Sequence, residues 1–175
     1  MIRPFQSVHP QVDPSAFIAE TAVIIGDVTI GPQSSVWYNV VVRGDVNSIR
    51  IGARTNIQDL SMLHVTHRKS ADDPGAPLVI GDDVTVGHSV TLHGCTVGNG
   101  SFIGMQAIVM DKVEIGEEAL VGARALVTEG TIIPPRTLWI GAPAKFKRDL
   151  TPAEIARLRQ SSQNYVAYAL QYIND

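Results

Sequence analysis

Aliphatic residues recur every six positions along most of the chain. They are Ile18, Ile24, Ile30, Val36 and Val42, then Ile51, Ile57 and Leu63, then Ile80, Val86 and Leu92, and finally Val97, Ile103, Val109, Ile115, Val121, Val127 and Ile133. Six is neither the period of a helix nor that of an ordinary strand. One buried aliphatic per six residues, often followed by Gly, is the pattern of a parallel β-helix. Each repeat supplies a short strand and a corner, three repeats close a triangular coil, and the anchors of successive coils stack. The period predicts an all-β solenoid running from about Phe17 to about Ile133.

The register breaks three times: Val42 to Ile51 is nine residues, Leu63 to Ile80 seventeen, and Leu92 to Val97 five. The second break holds an inserted loop, residues 66–78, rich in Asp, Pro and Gly; loops extruded from a regular scaffold are where function concentrates. Pro4, Pro10 and Pro14 argue for an irregular, extended lead-in over residues 1–15. After Pro134, Pro135 and Gly141-Ala142-Pro143, Thr151 reads as an N-cap, with Pro152 at the first helical position and Glu154 completing a capping box. Ile155, Leu158, Val166, Ala169, Leu170 and Ile173 follow at helical spacing. The chain therefore divides into a β-helix domain, residues 1–150, and a C-terminal amphipathic α-helix, residues 151–175, packed along one side of the coil.

With 175 residues, 45% of them hydrophobic and 18% charged, there is material for one domain with its own core. A formal net charge of −3 and scattered Lys and Arg give no electrostatic reason to expect a nucleic acid or an anionic membrane as partner. No apolar run approaches the ~20 residues of a membrane span. Pro4, His9 and Pro10 interrupt the N-terminus where a signal peptide needs an apolar block, so a cytoplasmic protein is expected. The single Cys95 has no partner for an internal disulfide, in agreement with a reducing compartment.

Counting anchors in threes sorts them into columns. The first holds Ile24, Val42, Leu63, Leu92, Val109 and Val127, and the residues after Leu63 and Leu92 are His64 and His93. These two histidines occupy equivalent positions on consecutive coils, about 4.8 Å apart in backbone, and point outward because the anchors point in. The second column holds Ile18, Val36, Ile57, Val86, Ile103 and Val121, which places Asp59 one coil from His88. His88 lies on a different column from the pair, so its natural route to the same site is from a neighbouring protomer. Three imidazoles with one open position describe a catalytic zinc site, and a site shared between subunits implies a closed oligomer, most simply a trimer. The third column carries Gly31, Gly52, Gly81, Gly98 and Gly116 after its anchors, which reads as corner geometry where a side chain would cost strain.

Around these residues the chain resembles the γ-class carbonic anhydrase family. The matching segments are VVRGDVNSIRIGARTNIQDLSMLHVTH, VGHSVTLHG, FIGMQA and GAPAK before the final helix. The resemblance covers essentially the whole chain. It implies a left-handed coil, a homotrimer, and a metal held by His64 and His93 of one subunit and His88 of the next. It further implies Arg43, Asp45 and Asp59 in polar contacts at the subunit interface, Gln58 orienting a metal-bound hydroxide, and Tyr165 near the site. The reaction implied is reversible hydration of carbon dioxide to bicarbonate. Zn2+ is the expected metal, with Fe2+ or Co2+ suited to the same ligands.

The chain departs from the family prototype where acidic proton-transfer residues are expected. The stretch after the first histidine reads His64-Val65-Thr66-His67, and Val46 follows Asp45. His67, with an ordinary pKa near 6.5, is the candidate proton carrier, and Asp72 or Asp73 could fold back. Two other functions fit the solenoid: an acyl-CoA-dependent hexapeptide transferase or thioesterase using one histidine as base, and a non-catalytic, metal-binding assembly subunit.

Overall fold

The computed structural model describes residues 1–70 and 72–174. Ala71, inside the predicted 66–78 loop, and Asp175, at the end of the predicted helical segment, lie outside the described residues.

The described residues form a parallel β-solenoid followed by one long helix, the strands falling into a 12-stranded and an 8-stranded sheet. The three counted columns are the columns of the structure. Ile24, Val42, Leu63, Leu92, Val109 and Val127 pair in parallel register. So do Ile18, Val36, Ile57, Val86, Ile103 and Val121. Ile30, Ile51, Ile80, Val97, Ile115 and Ile133 complete the set. Strand alternation also turns inward the residue two before each anchor. Val28, Ile49, Leu78, Cys95 and Val113 are buried in this way, as are Ala22, Val40, Val90, Ala107 and Ala125. Where that position is a hydroxyl it serves the corner: Ser34, Thr55 and Ser101 are buried and donate to the carbonyls of Gly52, Gly81 and Gly116 on the next coil.

All three register breaks fall at one corner, between the first and third columns. The nine-residue break in register does not interrupt the sheet. Val23–Ile30 and Val41–Ile51 are continuous strands across that corner, and a bulge takes up the excess, Gly26 pairing with Gly44 and Val28 with Ile49. The bulge grips the inserted loop, because buried Asn47 donates through Nδ2 to the carbonyls of Thr66 (3.0 Å) and Pro74 (2.8 Å). The shortened break draws Cys95 into the core, where burial pushes its thiol up to about 12.

Two local expectations are corrected, and the cost of a side chain at the corner glycines gains its physical cause. The lead-in is not wholly irregular: Ile2–Arg3 and Gln11–Val12 pair in parallel with Val23–Ile30, covering an edge that would otherwise expose unpaired backbone. The corner glycines are required by close approach between coils, since a Cβ at Gly52 would stand 2.6 Å from the Gly81 carbonyl oxygen. Left-handed backbone is instead carried two residues later by Gln33 (φ 56), Arg54 (φ 52), Asp83 (φ 58) and Glu118 (φ 54). Finally, helix α1, Pro152–Asn174, buries Leu158, Ser162 and Ala169 while Leu170 and Ile173 stay exposed. The contact face follows the 158-162-169 spacing and includes a serine that an apolar pattern passes over.

Candidate metal centre

Strands Met62–His64 and Thr91–His93 lie in parallel register with His64 opposite His93. With Leu63 and Leu92 turned into the core, alternation turns both imidazoles outward. His64 Nδ1 lies 3.1 Å from His93 Nε2. The outer nitrogens meet carboxylates: His64 Nε2 lies 3.1 Å from Asp45 Oδ1, and His93 Nδ1 lies 2.5 Å from Asp111 Oδ1. Arg43 donates to Asp45 Oδ2 at 2.5 Å, and Thr66 Oγ1 donates to Asp111 Oδ2 at 2.6 Å. One line of close polar contacts thus runs Arg43–Asp45–His64–His93–Asp111–Thr66.

The electrostatics of this line favour a neutral His64 and anionic Asp45 and Asp111. Burial lowers the His64 pKa, against the opposing pull of the Asp45 hydrogen bond. Burial raises Asp45, but hydrogen bonds from Arg43 and His64 outweigh it and hold the carboxyl below its ordinary range. Asp111 is likewise raised by burial and lowered further by Thr66 and His93. A carboxylate on the far nitrogen fixes the imidazole tautomer with its proton there. Two unprotonated nitrogens are then left facing each other at 3.1 Å. Two lone pairs at that separation call for a shared proton or a cation, so the donor set fits a metal ion bound by imidazole nitrogen.

His88 stands apart on the second column. The pairing of Ile57 with Val86 brings Asp59 beside it, and His88 Nδ1 lies 2.8 Å from Asp59 Oδ2. This is the same carboxylate-to-histidine support that His93 has, and it leaves Nε2 as the available donor. Among the described residues, no three His, Cys, Asp or Glu side chains converge as a metal cluster within one chain.

Gln58 is buried, and its Nε2 donates to Asn56 Oδ1 at 3.1 Å. Asn56 in turn donates through Nδ2 to the Val84 carbonyl and to Thr85 Oγ1. A carbonyl only accepts, so Val84 settles which way the Asn56 amide faces, and Asn56 settles Gln58. The Gln58 carbonyl oxygen is left as a free acceptor. Tyr165, half-buried on α1, packs edge-on against Trp37 at 5.5 Å. Burial, and then the charge of Asp59, push its hydroxyl upward. His67 is exposed on the inserted loop. Asp73 stays within that loop, its Oδ1 accepting from the Gly75 amide at 3.0 Å.

Asp111, Thr66 and Asn56 were not singled out from the sequence. A signal for Asp111 existed: the count that pairs His64 with His93 carries on to Met110 one coil later, and Asp111 is its neighbour. Nothing in the spacing announces that Thr66 or Asn56 hold other side chains in place.

Comparison with known proteins follows the same lines. Residues 94–129 match the family Bacterial transferase hexapeptide (six repeats). A protein of Geobacillus kaustophilus named carbonic anhydrase is 46% identical over 98% of this chain and 91% of its own length. Gamma carbonic anhydrase 2, mitochondrial, of Arabidopsis thaliana is 48% identical over 91% of this chain, which spans 57% of that longer protein. Among solved structures, a hexapeptide transferase family protein from Anaplasma phagocytophilum superposes with a TM-score of 0.92 at 45% identity, covering 98% of each chain.

Proposed function

This chain belongs to the γ-class carbonic anhydrase family, and on that premise we propose that it interconverts carbon dioxide and bicarbonate at a metal centre shared between subunits of a homotrimer. The observation that carries the reading is the His64–His93 pair, its ring nitrogens facing each other at 3.1 Å with carboxylates behind both rings. His64 and His93 of one subunit and His88 of its neighbour would hold the ion, with Zn2+ the first candidate and Fe2+ or Co2+ compatible with the same donors. A zinc ion lowers the pKa of bound water to about 7, a value already known for carbonic anhydrase, and so supplies a nucleophile at neutral pH.

The chain's own residues do the rest. Asp111 and Asp59 keep the protons of His93 and His88 on Nδ1 and so keep Nε2 free to donate a lone pair. Burial holds His64 neutral, and Asp45 on its Nε2 leaves its Nδ1 as the nitrogen free to donate a lone pair. The Gln58 carbonyl oxygen, aimed by Asn56, is an acceptor for the proton of a hydroxyl in the site. His67 sits in solvent on the inserted loop as the group that takes a proton to buffer.

The surface around the histidines supports an assembly in which a second copy covers them. Each histidine row continues into an exposed methionine on the next coil: His64 and His93 into Met110, Asp59 and His88 into Met105. Leu60, Met62 and Ile108 extend the apolar surface, with Leu60 63% exposed. An apolar surface of this kind marks an interaction site, and a head-to-tail contact closes into a ring when the rotation allows.

The test is carbon dioxide hydration by stopped flow on protein with measured metal content, before chelation, after it, and after refilling. Activity that vanishes and returns with metal supports the reading. A fully loaded, inactive protein sinks it and directs measurement to acyl transfer from acyl-CoA, the activity suggested by the transferase names among its relatives.

A further inference from the structure

The nine-residue break adds three residues to the coil between Val42 and Ile51, and the bulge that holds them carries side chains toward both histidines of the pair. It opens after Gly44, opposite Gly26, and closes at Ile49, opposite Val28. Within it Val46 turns to solvent, 43% exposed, and Asp45 and Asn47 on either side of it turn inward. Asp45 reaches His64 directly. Asn47 reaches His93 by a longer route.

Asn47 is 7% exposed and its amide is fully used. Oδ1 accepts from the Ser48 amide at 2.9 Å, and Nδ2 donates to the carbonyls of Thr66 at 3.0 Å and Pro74 at 2.8 Å. Those carbonyls belong to the two limbs of the inserted loop. The Thr66 amide donates to the Ala76 carbonyl at 3.0 Å and the Ala76 amide to the Thr66 carbonyl at 3.1 Å, which joins the limbs to each other. Asn47 joins both of them to the strand Val41–Ile51. On the far side of this neck, Thr66 Oγ1 donates to Asp111 Oδ2, and Asp111 Oδ1 stands against His93 Nδ1.

Two glycines let these groups close up. A Cβ at Gly94, directly after His93 and at φ 52, would stand 2.6 Å from Asp111 Oδ1 and 2.6 Å from the Ala76 Cβ. A Cβ at Gly75 would stand 2.4 Å from the Thr66 carbonyl oxygen. The loop neck, Asp111 and His93 are therefore packed as one body. A carboxylate orients an imidazole only as well as the carboxylate is itself held. Thr66 holds Asp111, and Asn47 holds Thr66.

We propose that Asn47 is a positioning residue for His93, acting through Thr66 and Asp111, so that one bulged strand braces both histidines: His64 through Asp45 and His93 through Asn47. The consequence for metal binding rests on His93 being a ligand, as the proposed function has it; the effect on the His93 ring does not.

Zn2+ affinity of the full-length protein is measured by competition with a chelator. Asn47→Ala should weaken it about tenfold, the lower end of what losing a ligand's outer support costs. Thr66→Val should do the same, whereas Thr66→Ser, which keeps the hydroxyl, should hold the parent affinity. Asn47→Ala and Thr66→Val combined should lose no more than either alone, because both cut one line. A role confined to folding would lower the melting temperature without that non-additivity. Should Asn47→Ala not fold, Asn47→Asp takes its place, being the same size with an oxygen where the donating nitrogen was. Parent-like affinity in the folded Asn47 variant, or additive losses in the double variant, overturns the proposal. If His93→Ala binds zinc as tightly as the parent, the ligand assignment fails, and the nitrogen NMR shifts of the His93 ring in metal-free protein decide instead. One form protonated at Nδ1 in the parent and exchange between two forms in Asn47→Ala supports the proposal; identical spectra overturn it.

Discussion

Asp111 takes one nitrogen of His93 and thereby decides what the other nitrogen can do. A free imidazole exchanges its proton between two positions, whereas one held at 2.5 Å by a carboxylate keeps a donor lone pair on the far side. Asp111→Ala should therefore weaken metal binding by about 10–100-fold, read by competition with a chelator, while the melting temperature of the metal-free protein changes little. If affinity is unchanged and only loop order suffers, Asp111 is a clamp for Thr66 and nothing more. His67 makes a different kind of claim, because it is exposed and touches none of these ligands. Its replacement by Ala should leave metal content intact and slow turnover in dilute buffer, with recovery on adding imidazole. A rate indifferent to both residue and buffer would remove it from the mechanism.

Helix α1 is fastened to the solenoid by charge at one end and rings at the other. Its start is a capping box: the Thr151 amide donates to Glu154 Oε2 at 2.9 Å, and the Glu154 amide donates to Thr151 Oγ1 at 3.3 Å. Arg148 closes on the same carboxylate. Further along, Glu118 on a coil corner receives Arg136 at 2.7 Å and also Arg159 from the helix. Burial raises Glu118, but the two guanidinium hydrogen bonds lower it more, so its folded pKa lies below the ordinary 4.5. A depressed carboxyl stabilises the folded state above its unfolded pKa and loses that contribution as pH falls through the folded value. Glu118→Gln should cost about 1–2 kcal/mol at neutral pH. The gap between the two proteins should close as pH drops below about 4.5. Thermal melts across that range decide it; a gap that persists in acid would mean the Glu118 charge contributes nothing.

At the scale of the assembly, the proposed site needs two chains because the two histidine rows lie on different faces of one coil. His88→Ala and His64→Ala should each be folded and inactive. Unfolded and refolded together in equal amounts, they should recover activity at about a quarter of the sites, those where an intact His64–His93 pair meets an intact His88. Mixing without any recovery would show that the three histidines do not share an ion. Chelation should also loosen the trimer, since an ion that bridges chains contributes to their association; sedimentation before and after metal removal measures it.

The coil, its three columns, the His64–His93 adjacency and the cap of α1 were legible in the sequence, because each follows from a short period or a local motif. A six-residue repeat leaves one aliphatic anchor per strand, and once anchors are counted the stacking order has no freedom left. The shapes of the register breaks were not legible. Spacing shows that three residues are extra between Val42 and Ile51, but only the partner strand decides that they form a bulge and not a gap. Which apolar residues of α1 are covered was also decided by the surface it meets, which accepts Ser162 and leaves Leu170 and Ile173 outside. Above all, the side chains that orient the site came from tertiary structure. Asp111 reaches His93 from one coil away, Thr66 reaches Asp111 across 45 positions, and Asn56 turns Gln58. Such contacts depend on side-chain direction across coils, for which a linear pattern carries no period.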